Sequence, residues 1–189
     1  MAQAKSLTPV ELDKVLTYIA QNANAQRNRM MMLLTVAGGL RVSEIAGLTI
    51  ADVRNADGTV KSEFYLASSR VKHGNARYIY LNTRLQEELR EYISGRNWLD
   101  ETQPLFTTHR GPRKGFSANT LTQHFFWLYR KAGVQNSSHA GRKTFLSSLA
   151  NQGINVFVMA KLAGHKDIKT TMRYVTTGDD VLRKAVELV

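Results

Sequence analysis

The chain has 189 residues, of which 43% are apolar and 22% charged, with 13 glycines and 3 prolines; that is enough to bury one good-sized core, and the composition is that of a globular protein, not a disordered one. Its 26 Lys and Arg against 15 Asp and Glu leave a net charge of +11, a balance that favours a polyanionic partner through release of the counterions condensed on nucleic-acid phosphates. Cysteine is absent, which excludes disulfides, thiolate chemistry and cysteine-ligated zinc or iron–sulfur sites.

The longest mostly apolar run, Met30 to Ala37, is less than half a membrane span and lies between Arg29 and a Gly38-Gly39 break. A soluble intracellular protein is therefore expected. Residues 1–7 read as a loose leader. Thr8-Pro9-Val10-Glu11 has the pattern of a capping box with proline at the first helical position, and Leu12, Val15, Leu16 and Ile19 give the helix that follows one buried face. A second helix is expected over 25–37, with its Met and Leu cluster in the core and Gly38-Gly39 ending it. A short helix over 42–48 comes next, and Asp57-Gly58 marks a tight turn.

Val60 to Ala67 and Ala76 to Leu81 are rich in β-formers and predict an antiparallel pair, whose connection carries Arg70, Lys72 and His73. Asn82 caps a helix with Leu85, Leu89, Tyr92 and Ile93 on one face. From Trp98 to Gly115 the pattern is irregular, and His109 to Gly115, with Arg110, Arg113 and Lys114, is a basic loop that is either solvated or in contact with phosphate. Ser117 opens a helix with Leu121, Phe125, Leu128 and Tyr129 inward, ending at Ala132-Gly133. Ser138 caps another that runs from His139 to about Asn151, and Gly153 separates it from a short helix over 155–162 with Val156, Val158 and Met159. The segment 179–189 reads as a small amphipathic helix whose Val181, Leu182, Ala185, Val186 and Val189 must dock in this core or a neighbour's. No linker divides the chain, so a single α+β domain over 1–189 is expected, mainly α with a small antiparallel sheet.

Cationic and imidazole side chains gather at the element boundaries. Arg41 follows the Gly-Gly break with Glu44 one helical turn on, able to hold its guanidinium. His139 and Arg142 have the same i, i+3 relation at a helix start, so both can point at one site. Lys72 sits at the hairpin tip, and a Gly164-His165 turn precedes Thr170, Thr171 and Tyr174. Each has a plain structural alternative: an ion pair, a helix-terminal histidine, a solvated lysine, a packed aromatic.

Taken together, these stretches match a known pattern. Gly39-Leu40-Arg41-Val42-Ser43-Glu44-Ile45-Ala46-Gly47-Leu48, with Asp52 following, resembles the first arginine box of the tyrosine recombinases, the lambda-integrase-like phage integrase family. Lys72-His73-Gly74-Asn75-Ala76-Arg77 resembles that family's β-hairpin lysine, His139-Ala140-Gly141-Arg142 its His-x-x-Arg box, and Leu162-Ala163-Gly164-His165 with Ile168, Thr170, Thr171 and Tyr174 its final nucleophile box. The likeness runs from about Ser6 to the end, in the family's order. It departs at Lys143, where histidine is frequent, and at Gly141, where leucine is common.

The resemblance implies the DNA breaking-rejoining catalytic-domain fold and a metal-independent strand transferase without cofactors. Tyr174 would attack a phosphodiester and leave a 3′-phosphotyrosyl link. Arg41 and Arg142, with Glu44 in support, would hold the non-bridging oxygens, and His165 would add a hydrogen bond. His139 would accept the phenolic proton. Lys72 would protonate the leaving 5′-oxygen, with Arg70 and Lys61 as substitutes for it because the preceding stretch is long. Arg70, Arg77, Arg110, Arg113, Lys114, Lys143, Lys166 and Lys169 would contact DNA. The implied partner is double-stranded DNA in the cytoplasm, at the nucleoid, bound by a protein monomeric when free and tetrameric on recombining DNA, with no membrane. The family's usual N-terminal core-binding domain is not expected within this chain, as in a naturally short recombinase or a catalytic fragment. A type IB topoisomerase and a catalytically idle DNA-binding regulator are the alternatives.

Overall fold

The computed structural model describes residues 5–70, 76–96, 100–108, 114–175, 182–183 and 186–187. Helix α1 (Pro9–Ala20) opens with the expected capping box, in which the Thr8 hydroxyl accepts from the Glu11 N–H and the Glu11 carboxylate accepts from the Thr8 N–H at 2.8 Å. Helix α2 (Ala25–Val36) runs through the core with Met30 to Leu34 and Thr35 all buried, because α1, α5 and α7 surround it. Helix α3 (Val42–Ala46) stops short of the expected Leu48. Gly47 caps it, and Thr49 with Asp52 then forms a second capping box that starts α4 (Ile50–Val53), an element too short to show periodicity in the sequence.

Strands β1 (Glu63–Leu66) and β2 (Arg77–Tyr80) pair antiparallel with Tyr65 opposite Tyr78 and Glu63 opposite Tyr80. Their period of two sends Phe64, Leu66, Arg77 and Ile79 inward and leaves Tyr65, Tyr78 and Tyr80 exposed. Helices α5 (Thr83–Ser94) and α6 (Ala118–Lys131) start at the expected caps, Asn82 and Ser117. Helix α7 (Ala140–Asn151) starts one residue later than expected. His139 is its cap and Ser138 is buried, while the Ser137 hydroxyl accepts the His139 N–H. Helices α8 (Val156–Ala163) and α9 (Ile168–Met172) follow. In α8 only Met159 of the three expected inward residues is fully buried, and Val158 faces out beside Phe157.

Two apolar clusters result. The large one is built from α1 to α6 and the strands, and a small one joins Leu146, Met159 and Ala163, with Phe145, Leu149, Ala150 and Tyr174 packed around it. Helix α7 bridges them by crossing α2 at Gly141, where a Cβ would come within 2.0 Å of the Thr35 hydroxyl. The departure from the usual leucine thus lets two helices approach closely. Lys72 and His73, expected at a hairpin tip, and His109, Arg110 and Arg113, expected in a basic loop, lie outside the described residues, as does most of 179–189; Leu182 and Val186 of that segment are exposed. Among the described residues, no helix is long and apolar enough to cross a membrane.

Candidate active site

The site forms where the two clusters meet. After α2, Gly39 adopts φ 66, and a Cβ on it would lie 2.5 Å from the Phe145 ring. Both facts call for glycine, and together they lay the Gly39 backbone against α7. Arg41 follows in extended conformation as the cap of α3. The Glu44 carboxylate, 2% exposed, turns back to it and accepts from the Arg41 backbone N–H at 2.7 Å and from Arg41 Nη1 at 2.7 Å. The same carboxylate receives a bidentate fork from Arg77, Nη1 to Oε1 at 2.9 Å and Nη2 to Oε2 at 2.8 Å. Burial alone would raise the Glu44 pKa, but the Arg77 hydrogen bonds and charge, then those of Arg41, overcome it and hold the group at about 2.

The third contribution comes from the end of α8. Gly164, left-handed at φ 62, turns the chain so that the His165 N–H bonds the Ala160 carbonyl at 3.1 Å. This leaves the Leu162 and Ala163 carbonyls for other donors. Arg77 Nε donates to Leu162 O at 3.0 Å, and Arg142 Nη2 donates to Ala163 O at 2.5 Å. The negative end of the helix is thereby met by two guanidiniums. Arg142 Nη1 also donates to Gly39 O at 2.6 Å, so one guanidinium joins stretches far apart in sequence. Burial, then the charge of Arg41, pushes Arg142 down to about 9, so it stays cationic at neutral pH.

His165 is fixed from both sides. Its Nε2 lies 3.1 Å from Arg142 Nη2, which can only donate, so Nε2 accepts. The ring proton then sits on Nδ1 and is donated to the Thr171 hydroxyl at 2.8 Å. Burial first, then the charges of Arg142, Arg41 and Arg77, drive this imidazole down to about 4, which agrees with a neutral ring. Thr171 is fully buried on α9, just ahead of Tyr174. Tyr174 itself is half-buried against the small cluster, near enough to Arg142 to act on it electrostatically. His139 is exposed at the start of α7, one helical turn from Arg142.

Arg41, Glu44, Arg142, His165 and the Tyr174 segment thus come together. Arg77, expected on DNA, lies with them: it is 6% exposed and its guanidinium is bonded to Glu44 and to Leu162 O inside the protein. The alternation of β2 carried the signal for this, since Arg77 shares the inward face with Ile79. Arg70, also expected on DNA, forks onto Asp52 and donates to Gly47 O. The other substitute for Lys72, Lys61, donates to Ala51 O at 2.6 Å. Lys114, Lys166 and Lys169 are exposed, and Lys143 is half-buried. The Gly39 carbonyl and the Thr171 hydroxyl as ligands of Arg142 and His165 were not foreseen. Neither contact follows a helical or strand period, so no local pattern marks it. Among the described residues, no three His, Asp or Glu side chains gather as a metal site.

The chain resembles known proteins along nearly its whole length. The chain is 30% identical over 184 residues to the tyrosine recombinase XerA of Pyrococcus furiosus, a match that covers 97% of this chain and 61% of that relative. The chain therefore spans about three fifths of the length of the curated relative. The Tn1549 transposon integrase, solved in complex with a circular intermediate DNA, superposes with a TM-score of 0.77 at 22% identity, covering all of this chain and 67% of that one. The catalytic domain of bacteriophage HP1 integrase superposes with a TM-score of 0.66 at 19% identity, over 98% of this chain and 95% of that domain. These likenesses agree on the mainly helical fold with its small antiparallel pair. Because the phage integrase family model matches residues 5–180, nearly the whole length, the chain belongs to that family.

Proposed function

We propose that this chain carries the catalytic centre of a site-specific recombinase that cleaves and rejoins double-stranded DNA through a 3′-phosphotyrosyl intermediate. The observation that supports this most is the Arg142 guanidinium, bonded at once to Gly39 O, Ala163 O and His165. It ties the three separate boxes into one cationic cluster beside the Tyr174 segment. A pentacoordinate phosphorus accumulates negative charge on its non-bridging oxygens, and Arg41 and Arg142 supply positive charge with directed N–H groups to meet it at neutral pH.

In the proposed step the Tyr174 oxygen forms a bond to phosphorus while the bond to the 5′-oxygen breaks. The phenolic proton passes to His139, and Lys72 delivers a proton to the departing 5′-oxygen. The ester is conserved, so a 5′-hydroxyl from another strand reverses the reaction without an energy source. The protein is a monomer when free and a tetramer on recombining DNA at the nucleoid. Residues 179–189 then dock on a neighbouring protomer, and the exposed Leu182 and Val186 support this assembly.

A pool of nicked suicide duplexes with randomised sequence tests the reading. Covalent adducts that survive denaturation are expected with the wild type and lost with Tyr174→Phe, which should keep its non-covalent affinity for the same duplexes. No adduct above the Tyr174→Phe background would sink the proposal. Recovered duplexes that support plasmid relaxation but never strand exchange would instead indicate a topoisomerase.

A further inference from the structure

Two ties hold the clamp. One runs from Gly39 O through Arg142 to Ala163 O. The other runs from Arg41 through Glu44 and Arg77 to Leu162 O. They end on adjacent carbonyls of α8, so the α8 terminus is the common reference from which both clamp arginines are placed. We infer that Arg77 is a positioning residue: its guanidinium fixes Arg41, through Glu44, against the α8 end that also fixes Arg142.

This inference rests on the recombinase reading and adds a residue that acts through others. Arg77 is 6% exposed, and three of its five N–H groups are given to Glu44 and Leu162 O inside the protein. Its three hydrogen bonds use both faces of the guanidinium fork, and only an arginine spans them; a lysine in its place keeps the charge but has a single nitrogen. The position also explains why so many cations tolerate one another here. Arg41 and Arg77 share the Glu44 carboxylate, whose charge also favours cationic Arg142, while the charges of Arg41 and Arg77 both act against Arg142. The centre is left with surplus positive charge, which an incoming phosphodiester offsets. If the second tie is broken, Arg41 keeps its bond to Glu44, but the pair is no longer registered to α8. A misplacement on the order of 1 Å in such a clamp costs about 100-fold in rate.

The test uses the duplex recovered from the wild type, in an all-oxygen form and in a form with a 5′-bridging phosphorothiolate, whose leaving group needs no proton. For Arg77→Lys, the single-turnover rate of adduct formation at saturating duplex is expected to fall about 100-fold. Non-covalent affinity should stay within about threefold, and the slow rate should persist on the phosphorothiolate. Glu44→Asp, which keeps the charge but is too short to reach both guanidiniums, should give the same signature. The double variant should be no slower than the worse single one, because both break one tie. A rate within threefold of wild type, an affinity loss equal to the rate loss, full recovery on the phosphorothiolate, or additive losses in the double variant would each overturn the inference. If Arg77→Lys does not fold, Glu44→Asp alone decides by the same rate and affinity criteria. No adduct from the wild type itself would refute the recombinase reading, whereas wild-type adduct with an unaffected Arg77→Lys refutes only the role of Arg77.

Discussion

Replacing Glu44 by glutamine removes one charge and half of the acceptors from the most densely bonded group in the site. Four hydrogen bonds converge on its two oxygens, from the Arg41 N–H, Arg41 Nη1 and both Arg77 Nη atoms. In the variant one oxygen becomes an NH2 facing donors, and the buried Arg77 guanidinium loses its counter-charge. Two estimates of the cost agree. Breaking a buried ion pair from one side costs about 3–5 kcal/mol. A carboxylate moved from 4.5 to about 2 by its surroundings corresponds to about 3 kcal/mol of folding free energy. Because the folded pKa is depressed, the wild type has this contribution in full above pH 4.5 and loses it as pH falls toward 2. The difference in urea unfolding free energy between wild type and Glu44→Gln should therefore be about 3 kcal/mol at pH 7, with unchanged m-value, and should shrink steadily below about pH 4.5 as the wild-type carboxyl takes up its proton. A difference under about 1 kcal/mol at pH 7, or one that stays constant down to pH 3, would refute the account of Glu44 as an ionised hub.

Three further outcomes follow from the same geometry. Gly141→Ala gains about 1 kcal/mol of helix propensity but drives a methyl into Thr35, whose hydroxyl is held by the Met32 carbonyl at 2.7 Å; the overpacking should win by about 2 kcal/mol, and a urea midpoint at or above wild type would contradict the close α2–α7 crossing. Arg142→Lys cannot serve Gly39 O, Ala163 O and a phosphate together, so adduct formation should fall by about 100-fold or more while the variant still binds duplex; activity within tenfold of wild type would argue against the clamp. Thr171→Val keeps the shape but removes the acceptor for His165 Nδ1–H, and should slow adduct formation about tenfold with affinity unchanged, Thr171→Ser restoring the rate. A Ser variant as slow as Val would point to packing instead of the hydrogen bond.

The local rules were legible from the chain alone. Thr8, Asn82 and Ser117 announce helix starts because an N-cap is a contract between residues three apart. The inward set of each strand follows from a period of two, and the order Arg41, His139, Arg142, His165, Tyr174 carried the family likeness before any coordinates. What lay beyond sequence were the contacts between residues far apart in the chain. Arg77 is expected on DNA although the alternation of β2 puts it on the inward face with Ile79; which groups its fork meets there, Glu44 and Leu162 O, was decided only by the packing of β2 beside α8 and α3. The same is true of the ionisation of the site. Glu44 at about 2 and His165 at about 4 are set by burial and by charges brought from three different elements, the α3 cap, β2 and α7. Sequence thus determined most of the groups gathered here, whereas the tertiary structure determined that Arg77 and Thr171 join them and which of them are bonded to one another.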